Sequence, residues 1–81
     1  MKFIIDNKVY DTEKSEFIAR YSDIEAKICL YKSPKGTFFI VGTSYLTGAV
    51  KATIITKEQL KAVLKNDYET YIKVFGELEE G

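Results

Sequence analysis

Carboxylates are the residues of this chain best suited to acid–base chemistry, and three of them cluster near the end of the sequence. Glu77, Glu79 and Glu80 lie within four residues of one another. A carboxylic acid donates a proton near neutral pH when apolar surroundings raise its pKa. These three stand on a polar tail without such surroundings. We therefore interpret them as a solvated acidic helix end and not as a catalytic pair.

Other residue types that carry catalysis are scarce. The chain has no histidine and a single cysteine, Cys29. Nucleophilic triads and proton shuttles usually recruit histidine, and a zinc site needs several Cys or His ligands. No glycine-rich phosphate-binding loop is present. The sequence therefore predicts a protein that is not an enzyme and that uses neither a metal nor a cofactor, with Cys29 as a small buried hydrophobe.

Lysine and aromatic side chains remain as groups that could recognise another molecule. Basic and acidic residues balance at 12 each, but they are segregated along the chain. Residues 26–57 contain no acid and five lysines: Lys27, Lys32, Lys35, Lys51 and Lys57. Residues 66–81 contain five acids and one lysine, a net charge of −4. The basic segment is either a solvated sheet edge beside an acidic helix or a surface directed at an acidic partner.

A β-hairpin over residues 28–41 would position several of these groups. Pro34 presets φ for the first corner of a type I turn, and Gly36 can adopt the left-handed conformation that closes it. The three-residue loop then pairs Ser33 with Thr37, which assigns the flanking residues to faces. One face carries Ile28, Leu30, Phe38 and Ile40, and the other carries Cys29, Tyr31, Phe39 and Val41. Because both faces are apolar, we expect both to be covered, or one to await a partner.

Shorter elements are predicted before this hairpin. The pair Asp6-Asn7 tolerates the left-handed region and lies between two apolar segments, which suggests a short N-terminal ribbon over residues 3–10. The segment 11–21 is ambiguous, because Asp11 or Thr12 could cap a helix while alternation from Glu16 onwards fits a strand. We favour a loop at 11–15 and a strand from Glu16.

After the hairpin the pattern predicts one more strand and then helices. Residues 50–55 alternate as a strand does, and Thr56 with Gln59 forms a capping box that begins a helix at 57–65. A second helix is predicted at 67–75, with its start capped at Asn66; one continuous helix is the alternative. The predicted fold class is α+β. It is a single domain, residues 1–81, in which one or two C-terminal helices pack on a small antiparallel meander of about four to five strands.

Several motifs resemble a family of short proteins from phages and mobile elements of Gram-positive gut bacteria. They are Tyr10-Asp11-Thr12-Glu13, similar to a YDTE start; residues 30–39, similar to an LYR-T-KKG-x-FFL hairpin; and residues 75–80, similar to an IFGE-x-EE end. Residues 41–44 depart from the family, which has a GEGG-like stretch there. The resemblance implies a mobile-element setting and no particular activity.

Two functions fit this sequence. The first is a protein-binding module that acts on a host or phage protein, for example as an anti-CRISPR-like inhibitor of host defence. Its contact residues would be Tyr31, Lys32, Lys35, Phe39, Tyr45 and Lys51, although Tyr31 and Phe39 could instead fill the core. The second is nucleic-acid binding through the same lysine and aromatic surface. A homodimer and a purely structural role stay open.

Cellular location follows from the same composition. No apolar run approaches the roughly 18 residues of a membrane span, and the N-terminus breaks too soon for a signal peptide. The one cysteine cannot form an internal disulfide. We therefore expect a cytoplasmic protein of the host cell without a membrane partner.

Overall fold

The computed structural model describes residues 1–78 and 81, so Glu79 and Glu80 lie outside the described residues. Six strands are followed by two helices. They are β1 (Lys2–Ile5), β2 (Lys8–Asp11), β3 (Glu16–Ser22), β4 (Ala26–Lys32), β5 (Phe38–Ser44), β6 (Val50–Ile54), α1 (Lys57–Leu64) and α2 (Tyr68–Phe75). The α+β class predicted from the sequence is confirmed.

The main sheet is an antiparallel meander in the order β3-β4-β5-β6. Its central hairpin has the predicted register, with Lys32 opposite Phe38 and Cys29 opposite Val41. In the turn, the Ser33 N–H donates to the Thr37 carbonyl at 2.8 Å. Gly36 has a φ of 89°, a conformation that costs a side-chain-bearing residue steric energy. The turn residues therefore specify which face each strand residue occupies.

The N-terminal ribbon is a separate two-stranded sheet formed by β1 and β2. Asp6 and Asn7 form its turn with φ values of 51° and 62°, as predicted from their tolerance of the left-handed region. The following segment is a loop that Asp11 organises, because its Oδ1 accepts the Glu13 N–H at 3.0 Å. Strand β3 then begins at Glu16, so the strand interpretation of the ambiguous segment is confirmed.

The helices cover one face of the main sheet. The buried residues of α1, Leu60 and Leu64, pack with sheet residues Ile18, Leu30 and Phe38, and α2 contributes only partly buried residues to this core, among them Phe75. Helix α1 has the predicted capping box: the Gln59 N–H donates to Thr56 Oγ1 at 3.2 Å, and the Thr56 N–H donates to Gln59 Oε1 at 3.0 Å.

The two helices are separate. Helix α2 is capped by Asp67 and not by the predicted Asn66. The Asp67 N–H donates to the Leu64 carbonyl at 2.9 Å and so ends the first helix with a turn, and its carboxylate then accepts from the second helix. Gly76, with a φ of 87°, follows the end of α2.

The N-terminal ribbon covers the opposite face. Tyr10 and Phe39 are buried there with Val41, and the two rings lie 5.3 Å apart. The fold is therefore three layers, with helices on one side of the sheet and a ribbon on the other. Phe38 and Phe39 are consecutive, yet they belong to the two different cores, as strand alternation requires. The expectation that both faces of the hairpin are covered is confirmed for β5, whereas Cys29 and Tyr31 of β4 remain partly exposed on the ribbon face.

Neither described helix is long and apolar enough to cross a membrane.

Candidate functional site

The six residues predicted to contact a partner do not form one surface. Phe39 is fully buried, so its assignment as a contact residue is wrong. Its ring lies between Tyr10 and Tyr31, with ring centroids 5.3 Å and 5.4 Å away. Strand alternation directs it to the ribbon face, where the N-terminal hairpin covers it. Phe39 supports the fold from inside.

Tyr31 is half-buried beside Phe39 on the same face. Its ring is stacked on that of Phe39 at an interplanar angle of 16°, and the ring of Phe17 meets it edge-on at 5.7 Å. Burial, followed by its interaction with Cys29, raises the pKa of the Tyr31 phenol above its usual value. Tyr31 is therefore partly exposed, and one face of its ring is occupied by Phe39.

The three predicted lysines are exposed but lie at separate places. Lys32 is paired with Phe38 across β4 and β5, on the face that the helices cover, and its Nζ lies 5.7 Å from the Phe38 ring centroid. Lys51 is opposite Gly42 on the edge strand β6. Lys35 lies in the β4–β5 turn, beyond the other end of β5. Because Gly42 is four residues beyond the start of β5, Lys51 lies roughly 13 Å along the strand from the β4–β5 turn that carries Lys35.

Tyr45 lies at the end of the sheet opposite to Lys35. Strand β5 has seven residues between them, which corresponds to a span of roughly 20 Å. The loops β3–β4 and β5–β6 meet at this end and expose a group that we call the turn-end patch: Ile24, Tyr45 and Leu46. Their exposed fractions are 95%, 55% and 92%. They line a shallow depression of about 550 Å³ together with Glu25 and Ser44.

Hydrogen bonds hold the loops of the turn-end patch in place. The Tyr45 N–H donates to the Glu25 carbonyl at 2.9 Å, and the Tyr45 hydroxyl donates to Ser22 Oγ at 3.2 Å. Asp23 Oδ1 accepts the N–H groups of Ala26 and Glu25 at 2.8 Å and 2.7 Å. These two bonds lower the pKa of Asp23. The side chains of the patch are exposed, but hydrogen bonds within and between the two loops hold its backbone in place.

An apolar pocket of about 180 Å³ opens on the helix side of the sheet. Its wall includes Tyr21 of β3 and Ile28 of β4, which are paired across the two strands. One further pair, Ser22 and Lys27, separates them from the β3–β4 loop. The remaining lining residues are Leu30, Ile40, Ile55, Leu60 and Val63. Val63 of α1 is 59% exposed at this pocket, because two short helices do not cover the whole face.

Two residues of the turn-end patch, Ile24 and Leu46, are absent from the sequence-based set. A signal for them exists in the sequence. Each is a large aliphatic residue within a segment of turn-forming composition, Ser-Asp-Ile-Glu and Tyr-Leu-Thr-Gly. A turn leaves such a side chain few ways to be buried, so it either folds back or stays exposed.

No cluster of three or more His, Cys, Asp or Glu side chains that could hold a metal occurs in the part of the chain that the structure describes. Cys29 is partly exposed on β4 and not fully buried as predicted, since the ribbon leaves the β3–β4 side of its face open. Glu77 is exposed; its partners in the proposed acidic end, Glu79 and Glu80, lie outside the described range.

Searches against protein-family models, curated proteins and solved structures found no match to this chain.

Proposed function

We propose that this chain is a non-enzymatic protein-binding module whose main contact surface is the turn-end patch. The observation that carries the proposal is the pair Ile24 and Leu46, both more than nine-tenths exposed and lining one depression. Burial of one such side chain contributes about 1.5–3 kcal/mol. Because both loops are hydrogen-bonded, a partner would bind these anchors with little loss of backbone entropy.

The apolar pocket extends this surface on the helix side. An interface commonly combines protruding apolar anchors with a pocket that receives an anchor of the partner. The turn-end patch supplies anchors, and the pocket near Tyr21 and Ile28 can receive one. Tyr45, one of the residues predicted from sequence, contributes an amphipathic ring of the kind enriched at interfaces.

The biological setting of the proposal comes from the sequence motifs. A resemblance to short proteins of phages and mobile elements supports a host or phage protein as the partner, within the host cell. A small binding protein without catalytic groups acts by occupying a surface that its target needs free. We therefore propose inhibition of a host defence protein, in the manner of an anti-CRISPR protein, as the specific role.

Nucleic-acid binding is the second candidate, and one feature favours it. Phe17, Arg20 and Lys27 lie on the open part of the ribbon face, opposite Tyr31, Cys29 and Ser22 in register. Aromatic and cationic groups on an open sheet face are typical of single-strand binding. The ring of Tyr31, however, is already stacked on Phe39. One side of the Tyr31 ring is therefore not available for stacking with a base. Protein binding therefore ranks first.

The turn-end patch can be tested by affinity capture. Tagged wild-type protein would be incubated with lysate of a Gram-positive gut bacterium, and captured proteins would be quantified by mass spectrometry. We expect Ile24→Ser and Leu46→Ser each to reduce retention of the specific partner about tenfold or more, since each removes a buried anchor.

Ile4→Ser is the matched control for this experiment. Ile4 is 79% exposed on β1, away from the turn-end patch, and its substitution should leave retention unchanged. Equal retention by Leu46→Ser and wild type would contradict the proposal, as would the absence of any partner whose capture depends on the patch. Thermal unfolding of all three variants should match wild type, because none of these side chains is buried.

A further inference from the structure

A cleft lies between the N-terminal ribbon and the β4–β5 turn, at the end of the sheet opposite to the turn-end patch. It has a volume of about 560 Å³, and Lys8, Val9, Tyr10, Pro34 and Lys35 are among its lining residues. We call it the lysine cleft. Its volume is within the range of about 300–1,000 Å³ that is usual for ligand sites. It can therefore accept a short extended segment.

The charge of the lysine cleft is positive. None of the described residues that line it is acidic, whereas two are lysines. A smaller depression of about 220 Å³ on the other side of Val9 and Pro34 adds Lys2 and Lys14, and only Asp11 opposes them. Asp11 is buried and already accepts the Glu13 N–H. Together these groups attract an anionic ligand to the surface between the two hairpins.

The walls of the lysine cleft keep a stable shape. The Ser33 N–H donates to the Thr37 carbonyl, and the Thr37 N–H donates to Ser33 Oγ at 3.0 Å. On the other wall, Tyr10 is anchored by its buried ring against Phe39. The hydroxyl group of Ser33 can still donate a hydrogen bond, and such a bond to a carboxylate is stronger than one between neutral groups.

The chemistry of the lining distinguishes carboxylates from bases. Tyr10 is the aromatic residue of the cleft and is only 6% exposed, so a base has no ring face there on which to stack. Val9 also lines the cleft and is 65% exposed. A lining that combines exposed apolar surface with lysines matches a peptide that alternates acidic and apolar side chains.

We infer that the lysine cleft is a second contact surface, which binds an acidic, extended segment of the protein partner. This inference rests on the proposed function and adds the chemistry of the partner to it. The two surfaces lie at opposite ends of β5, and an acidic segment would steer the partner towards the chain before the turn-end patch is buried.

Fluorescence anisotropy with labelled octaglutamate tests the inference on the full-length protein at low salt. We expect saturable binding that weakens as salt rises. The double substitution Lys8→Glu with Lys35→Glu should weaken it about tenfold or more, because it changes the charge of the cleft by four units. Lys8→Gln with Lys35→Gln, which adds no repulsion, should weaken it less and guards against a folding defect.

The control is a double substitution that changes the net charge of the protein by the same amount outside the lysine cleft. Lys51 and Lys57 are exposed on β6 and α1, and their double substitution to Glu should change octaglutamate binding less than twofold. Leu46→Ser should also leave it unchanged, which separates the lysine cleft from the turn-end patch. Octaglutamate affinity that is unchanged in Leu46→Ser, together with the absence of any protein whose capture depends on the turn-end patch, would contradict the proposed function. The lysine cleft would then still be a binding site for acidic segments.

Four results would overturn the inference. The first is no saturable binding of octaglutamate. The second is equal weakening by the cleft and control substitutions, which would show a general charge effect. The third is tighter, cleft-dependent binding of an eight-residue oligothymidylate, which would assign the cleft to nucleic acid. Self-association lost in the Lys8→Glu, Lys35→Glu variant, measured by sedimentation, would assign it to a second copy and also overturn the inference.

Discussion

Two aromatic residues on the same face of the sheet illustrate how burial in this protein depends on single positions. Phe39 is fully buried on the ribbon face, whereas Phe17, on the same face but on the edge strand β3, is 51% exposed. Both are apolar and aromatic, so composition does not distinguish them. The ribbon covers the middle and β6 side of the sheet and leaves the β3 side open. Only the residue under the ribbon contributes to the core.

Alanine substitutions should separate these two roles. Phe39→Ala should lower the free energy of unfolding by about 3–5 kcal/mol, because it leaves a cavity between Tyr10 and Tyr31. Phe17→Ala should lower it by about 1 kcal/mol or less, since half of its side chain is already hydrated. Urea denaturation followed by circular dichroism measures both. Similar losses for the two variants would mean that Phe39 is not a core residue.

Among the secondary-structure elements, α2 is connected to the sheet by hydrogen bonds that one aspartate side chain accepts. Asp67 caps α2 by accepting the Thr70 N–H at 3.3 Å, and it accepts the Tyr21 hydroxyl of β3 at 2.9 Å. The Thr70 hydroxyl, the Tyr21 hydroxyl and the Thr70 amide, in that order, lower the pKa of Asp67. Burial and the Asp67 carboxylate raise the pKa of Tyr21. Both pKa shifts favour the charged form of Asp67 beside the neutral form of Tyr21 in the folded protein.

This linkage predicts acid sensitivity. Because the folded pKa of Asp67 is below its unfolded value of about 3.9, its charged form stabilises the fold fully above that value. This stabilisation is lost as the pH falls through the folded pKa. Asp67→Asn keeps a capping side chain but cannot titrate. Urea denaturation at pH 6, 4 and 3 should therefore show the stability gap between wild type and variant narrowing as the pH falls.

A constant gap over this pH range would contradict the assigned role of Asp67. Tyr21→Phe provides the matched variant, since it removes one of the hydrogen bonds and should reduce the pH dependence without abolishing it. Lys73 Nζ donates to the Ile18 carbonyl at 3.3 Å, a second tie between α2 and β3 that neither substitution changes.

The whole molecule has two cores that share one sheet. The helix-side core and the ribbon-side core both include β5, through Phe38 and Phe39. A two-stranded ribbon by itself is marginally stable in water, so β1 and β2 depend on the sheet beneath them. Conversely, loss of the ribbon would expose Phe39 and Val41. We therefore expect the two cores to unfold together.

Native-state hydrogen exchange measures this coupling. Amides in β1 and β2 that are hydrogen-bonded within the ribbon should exchange with nearly the same opening free energy as amides in β4 and β5. Exchange of the ribbon at a much lower free energy would show that it detaches independently. Tyr10→Ala should lower both values together, since its ring joins the ribbon to Phe39.

Local elements were predictable because their signals lie within a few residues. The left-handed pair Asp6-Asn7, the Pro34–Gly36 turn and the Thr56–Gln59 capping box each act through hydrogen bonds or φ preferences of adjacent residues. The hairpin register follows from the turn length, and strand alternation then places Phe38 and Phe39 on opposite faces. The cap of α2 was predicted one residue too early, because Asn66 and Asp67 are both suitable capping residues.

The amino-acid sequence determined the fold class, the faces of the β4–β5 hairpin and the scarcity of catalytic groups, since these depend on residue type and on short spacings. It did not determine the faces of β3, because a bulge between Phe17 and Ala19 interrupts the alternation of that strand. Only the tertiary structure decided that Phe39 is buried, that Tyr45 lies about one strand length from Lys35, and that Ile24 and Leu46 meet at one end of the sheet. These outcomes depend on which layer covers each face and on which loops come together. Such contacts join residues far apart in the chain, and local patterns do not specify them.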